Sequence, residues 1–140
     1  MRTRSSRNVL AVALGAALFA GMLAAHAGSS STALAAMSGQ SIFDTNCSTC
    51  HGSNGSGQPG VFPPLAGNPD VNAKDPKTII GIVKHGLNVT KTILGKQYTG
   101  GMPAWSQLSN ADIAAVLTYV RSSWGNHAPA VTEAQVAAVK

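Results

Sequence analysis

The chain has 140 residues, with 10 Lys+Arg against 5 Asp+Glu and 44% hydrophobic residues. Much of the basic excess lies in Arg2, Arg4 and Arg7; the rest of the chain is close to balanced, and no interleaving of basic and aromatic residues marks a nucleic-acid surface.

The first segment reads as an export signal. Arg2, Arg4 and Arg7 form a basic start, and Val9 to Ala25 is an apolar run rich in Ala and Leu. Ala25-His26-Ala27 is an A-x-A cleavage pattern and Ala33-Leu34-Ala35 is a second. The expected signal is residues 1–27, with cleavage as late as 35 the alternative. The run is long for a signal core and barely long enough to span a bilayer, so a retained membrane anchor is the second reading. The expected location is the periplasm, or the membrane if the segment is kept. The remainder divides into a domain at 36–126 and a tail at 127–140. A domain of about a hundred residues has a thin core of its own.

Gly39 to Cys47 fits a short helix with Ile42 and Phe43 as its bulky apolar residues. Gly39 shares a face with Phe43 and lacks a side chain. It either lets another helix approach closely or simply starts the helix.

Cys47-Ser-Thr-Cys50-His51 follows, a C-x-x-C-H pattern. It is the attachment signature of a c-type haem. The two thiols, about one helical turn apart, can add to the two vinyl groups of one porphyrin edge. His51 can then supply its imidazole to the iron. A thioredoxin-like redox pair would need a βαβ context, which the pattern lacks. A structural zinc site usually needs four ligands, and the chain has only 2 Cys.

Gly52 to Gly60 is an irregular glycine-rich loop without the G-K-[ST] ending of a phosphate cradle. In Val61-Phe62-Pro63-Pro64-Leu65, Phe62 and Leu65 are candidates to pack on a porphyrin, and a proline carbonyl can accept the Nδ1–H of His51. Asp75 and Pro76 read as the N-cap and first position of a helix bearing Ile79, Ile80, Ile82 and Val83 and stopped by Gly86.

Gly100-Gly101-Met102-Pro103-Ala104-Trp105 is the next informative segment. Most methionines are core filler. Met102, however, sits among Gly and Pro, and a thioether is a soft donor suited to haem iron. It is the candidate sixth ligand; His85, His127 or an open position are the alternatives. Ser109 to Asp112 resembles a capping box, and Ile113, Val116, Leu117, Val120 and Trp124 recur at helical spacing up to Gly125. In the tail, Thr132 can cap a short helix with Val136 and Val139 on one face, docked on the domain or on a partner. The N-x-[ST] matches at Asn46 and Asn88 read as chance.

Taken together, the chain resembles the class I, monohaem cytochromes c. The resemblance rests on Gly39 and Phe43, Cys47-x-x-Cys50-His51-Gly52, Pro63-Pro64-Leu65, Gly101-Met102-Pro103 and a last helix with Tyr119. It implies an all-α fold wrapped around one covalently bound haem c. It also implies a crossing of the first and last helices near Gly39, Phe43 and Tyr119, and a Pro63 carbonyl on the haem histidine. Phe62-Pro-Pro-Leu-Ala-Gly67-Asn68 and Met102-Pro-Ala-Trp105 look most like the cytochrome c subunits of bacterial periplasmic dehydrogenases. Those of the alcohol dehydrogenases carry three C-x-x-C-H motifs, whereas this chain has one.

The resulting expectation is a periplasmic one-electron carrier rather than an enzyme. Cys47 and Cys50 would hold the haem, and His51 and Met102 its iron. The partners would be redox proteins, a dehydrogenase or a terminal oxidase or reductase. The alternatives are an electron-relay subunit of one complex and, in a different class, a haem enzyme or gas sensor with an open sixth position. Lys74, Lys77, Lys84, Lys91 and Lys96 all fall between His51 and Met102. They are either a solvated face or a basic ring that steers an acidic partner.

Overall fold

The computed structural model describes residues 38–140. The signal segment, both A-x-A sites and Met37 lie outside the described residues.

Helix α1 (Gly39–Asn46) is capped by Ser38, whose hydroxyl accepts the Ser41 N–H at 3.1 Å. Ile42 and Phe43 are buried. The chain breaks step at Cys47 and makes one further turn, α2 (Ser48–His51). After the glycine-rich loop, Asn68 caps a short turn, α3 (Pro69–Asn72), with Pro69 at its first position.

Helix α4 (Lys77–His85) starts one residue later than the sequence suggests. Pro76 is its N-cap, and Asp75 Oδ1 accepts the Lys77 N–H at 3.0 Å. Gly86 stops it at φ 78, a conformation open to glycine. Here glycine is required twice, because a Cβ would also stand 2.7 Å from the Met102 carbonyl oxygen.

The segment before Met102 forms an antiparallel hairpin of β1 (Lys91–Ile93) and β2 (Lys96–Tyr98), in the register Lys91↔Tyr98, Thr92↔Gln97, Ile93↔Lys96. This is an addition to the expected all-helical fold. Its turn is Leu94-Gly95, without the Asn-Gly or Asp-Gly that signals a hairpin.

Helix α5 (Asn110–Ser122) has the expected capping box: Ser109 accepts the Asp112 N–H at 3.1 Å, and Asp112 accepts the Ser109 N–H at 3.2 Å. It ends earlier than its apolar pattern suggests. The Ser122 and Ser123 hydroxyls donate to the Tyr119 carbonyl at 3.2 and 2.6 Å. Such side-chain bonds compete with further helix. Trp124 therefore leaves the helix, at φ 51.

Helix α1 crosses α5 at close range, with Gly39 against the backbone of Ala115. Beside that crossing, Phe43 packs on Tyr119 and on Trp124, with ring centroids 5.6 and 4.9 Å apart. Trp124 keeps its place in the core despite leaving the helix, because it folds back over Gly55.

The tail docks. Helix α6 (Glu133–Ala138) has a Thr132–Gln135 capping box, and Val131, Val136 and Val139 join the same buried cluster as α1, α4 and α5. All described residues fall in one compact unit. No helix among them is long and apolar enough to cross a membrane.

Candidate haem centre

One cavity of about 1230 Å³, its open mouth included, gathers the predicted site residues. Cys47, Cys50, His51 and Met102 all line it. Ile79, Ile82 and Val83 of α4 form one wall and Val116, Leu117 and Val120 of α5 another. Phe62 and Leu65, read as porphyrin contacts, line it too, as do Ile93 and Tyr98 of the hairpin. His85 and His127 are exposed and stand outside this wall.

His51 is buried, and its Nδ1 lies 3.0 Å from the Pro63 carbonyl oxygen. Burial pushes the imidazolium below its ordinary pKa, against a smaller opposing pull from that carbonyl. The ring is therefore held neutral, with the Nδ1 proton committed to Pro63. Nε2 keeps its lone pair, the form a metal requires.

The cysteines are free and half-buried. Burial, with Cys50 beside it, pushes the Cys47 thiol up to about 11. A redox-active C-x-x-C pair shows the reverse, a thiol lowered toward neutrality. No group of three or more His, Cys, Asp or Glu able to hold a metal occurs among the described residues. Cys47 thus lacks the lowered thiol of a redox pair, whereas two half-buried thiols lining an apolar cavity fit covalent attachment of a flat macrocycle.

Met102 is held by its backbone. It exchanges both hydrogen bonds with Leu87, at 2.9 and 2.8 Å, just past the end of α4. The Gly100 N–H donates to Val61 and the Trp105 N–H to Val83, each at 2.9 Å. The loop that carries the thioether is therefore fastened on both sides of it.

The cytochrome c family profile matches residues 36–124. The chain belongs to the cytochrome c family. Its single C-x-x-C-H makes it a monohaem member, and the family implies covalently bound haem c. It is 38% identical over 104 residues to the cytochrome c subunit of a quinone alcohol dehydrogenase from Gluconacetobacter polyoxogenes. That match covers 73% of this chain and 22% of the relative, so the cytochrome spans about a fifth of that subunit's length. It is also 38% identical over 97 residues to cytochrome c-552 of Thermus thermophilus, covering 67% of this chain and 65% of that one. A cbb3-type cytochrome c oxidase subunit from Azospirillum brasilense is 31% identical over 102 residues, 69% of this chain and 31% of the relative.

The cytochrome's lysines need a correction. Lys84 does not belong to a free basic ring: its Nζ donates to the carbonyl oxygens of Val136, at 3.3 Å, and Val139, at the end of α6. Lys91 is paired with Asp70 of α3, and both residues line the cavity. Lys74, Lys77 and Lys96 remain exposed.

Two buried polar residues were absent from the sequence reading. Arg121 is buried and donates to the carbonyls of Val71, Ala73 and Pro129 at 2.7, 2.9 and 2.8 Å. Asn126 accepts from Gly67 and Asn72 and donates to Leu65 and Val120. Together they tie the loop bearing Leu65, and α3, to the end of α5. Arg121 was hidden as a charged residue in the last turn of a helix, and Asn126 looked like loop. A polar residue just beyond a well-formed helix was the only available signal.

Proposed function

We propose that this cytochrome carries single electrons through one haem c, joined to Cys47 and Cys50, with His51 and Met102 as the two axial ligands. The observation that carries the reading is that all four residues line one apolar cavity in which Pro63 already fixes the histidine. When bound, the haem supplies an iron that moves between ferrous and ferric states. The chain's part is to hold that iron still. The Pro63 carbonyl orients His51, and the Leu87, Val61 and Val83 contacts hold the Met102 loop. With His51 and Met102 both holding the iron, substrate and oxygen would have no open site, which favours a carrier over an enzyme. A thioether ligand and an apolar wall both favour the ferrous form.

The signal-like segment at 1–27, with a later cut at 35 the alternative, supports a periplasmic carrier formed by a domain at 36–126 and a tail at 127–140. Its partners would be a dehydrogenase and an oxidase or reductase. A second reading, an electron-relay subunit within one complex, draws on relatives that are themselves named as subunits. Isolation of the native protein separates the two: a carrier emerges alone and a relay subunit with its complex.

The test of the central reading is chemical. Acid-acetone treatment of the denatured holoprotein should leave the haem on the chain, and Cys47→Ala or Cys50→Ala should sharply reduce it. The ferric protein should show the weak red charge-transfer band of a Met sulfur–iron bond. Met102→Ala should abolish that band and admit CO. Retention of the band in Met102→Ala would assign the sixth position to another residue.

A further inference from the structure

Val61, Val89 and Leu94 are the large apolar side chains exposed on the described surface. Single exposed apolar residues are ordinary. Leu94 differs because its backbone is also unfavourable. It opens the two-residue turn between β1 and β2 at φ 50, and Gly95 follows at φ 76. Both positive values mark a type I′ turn, which suits Asn, Asp or Gly. Leucine offers no side-chain oxygen to support the turn, and its Cβ crowds the backbone there. The side chain is 58% exposed and belongs neither to the buried core nor to the cavity wall. Strained residues of this kind cluster at active sites, ligand clamps and switch regions.

The charge around the turn has one sign. From Gly86 to Trp105 the sequence has Lys91 and Lys96 and no acidic residue. Lys91 is occupied by Asp70, while Lys96 is exposed and makes no ion pair among the described residues. Cross-strand partners share a face. Lys96 therefore lies on the same side as Ile93, Lys91 and Tyr98, the side turned to the cavity. One short hairpin thus walls the haem site at its base and presents an apolar tip with a free cation at its end.

We propose that the β1–β2 tip is a docking anchor for a redox protein, with Leu94 seated in an apolar notch and Lys96 paired with an acidic rim. The proposal rests on the electron-carrier reading. A protein fits better than a lipid surface. A single side chain in a desolvated pocket can anchor a protein interface. One leucine and one free lysine fall short of the two signals that stable membrane attachment takes.

The test uses reduced holoprotein and washed membranes of the native host, with oxidation rate followed against cytochrome concentration. Leu94→Asn relieves the turn, so the variant should melt at or above the wild-type temperature. Its oxidation by ferricyanide should be unchanged. Its half-saturating concentration on membranes should rise roughly five-fold or more, with the maximal rate kept. Lys96→Glu should weaken docking at low salt only, because salt screens its contribution and leaves that of Leu94.

Two control probes identify other occupants. Wild-type binding to phosphatidylglycerol vesicles that is lost in Leu94→Asn would overturn the proposal in favour of lipid. A wild-type dimer in sedimentation velocity that is lost in the variant would overturn it in favour of a second copy. Membrane kinetics identical to wild type in Leu94→Asn would overturn the anchor alone. A wild-type protein that membranes never oxidise would overturn the carrier reading, and the anchor with it.

Discussion

A Cβ placed on Gly39 would stand 2.1 Å from the carbonyl oxygen of Ala115. Helices α1 and α5 therefore touch backbone to backbone, and no side chain fits between them. Gly39→Ala gains helix propensity worth at most about 1 kcal/mol. It must also push the helices apart, and overpacking of this kind costs about 1–3 kcal/mol or more. The contact is with backbone, which cannot rotate away. The holoprotein should lose stability, read as a lower guanidinium midpoint with an unchanged slope. A midpoint at or above that of wild type would contradict the close approach.

The His51–Pro63 bond can be tested without touching either residue. A Cβ on Gly57 would meet the Phe62 carbonyl oxygen at 2.4 Å and the Pro63 carbonyl carbon at 2.6 Å. Gly57→Ala should move that segment and lengthen the 3.0 Å bond to Nδ1. A histidine without this acceptor is a poorer donor to ferric iron, so the midpoint potential should rise. Gly60→Ala is the control. Gly60 also has positive φ, but nothing lies within 4 Å of its added Cβ. Both variants carry backbone strain, and only Gly57→Ala should shift the potential in a redox titration. Equal shifts in both would detach the potential from the Pro63 carbonyl.

What the sequence disclosed follows from where the chemistry was local. The C-x-x-C-H run is legible within five residues, and the Ser109–Asp112 box and the Thr132 cap, equally local, formed as read. Gly39 had two readings in the sequence, and the contact with the Ala115 backbone decides for close helix approach. The hairpin was not legible, since Leu94-Gly95 replaces the usual turn residues and only Ile93 and Tyr98 of its strands are buried. The departure of Trp124 from α5 depended on serine hydroxyls capturing the Tyr119 carbonyl. Lys84 and Lys91 looked like surface charge because their partners, in α6 and α3, are distant in sequence.

Lys84 makes the tail testable. Its ammonium caps the C-terminal carbonyls of α6, where a cation also opposes the negative end of the helix. Lys84→Gln keeps most of the stem and removes the charge. The expected loss is about 1 kcal/mol, concentrated in the tail. Hydrogen exchange should accelerate in Glu133–Ala138 and not in Asn110–Ser122. Uniform acceleration across both helices would mean that Lys84 supports the whole core rather than the tail.

Asp70 and Lys91 join α3 to β1 at the cavity wall, and each side chain is about one-third exposed. Such a pair contributes little to global stability, about 0–1 kcal/mol. Its position gives it a local effect. Beyond β2 the chain runs directly to Met102, so an outside ligand that displaces the thioether must first loosen this segment. Asp70→Asn and Lys91→Met should each leave the melting temperature nearly unchanged. Each should also speed cyanide binding to the ferric holoprotein, by up to roughly five-fold for a pair worth 1 kcal/mol. Raising the salt should speed the wild type in the same direction, because the pair is exposed enough to be screened. It should have less effect on either variant, which has no pair left to screen. The exchanged pair, Asp70→Lys with Lys91→Asp, should restore slow binding. Cyanide rates that ignore both single variants would show that the Met102 loop opens independently of the hairpin.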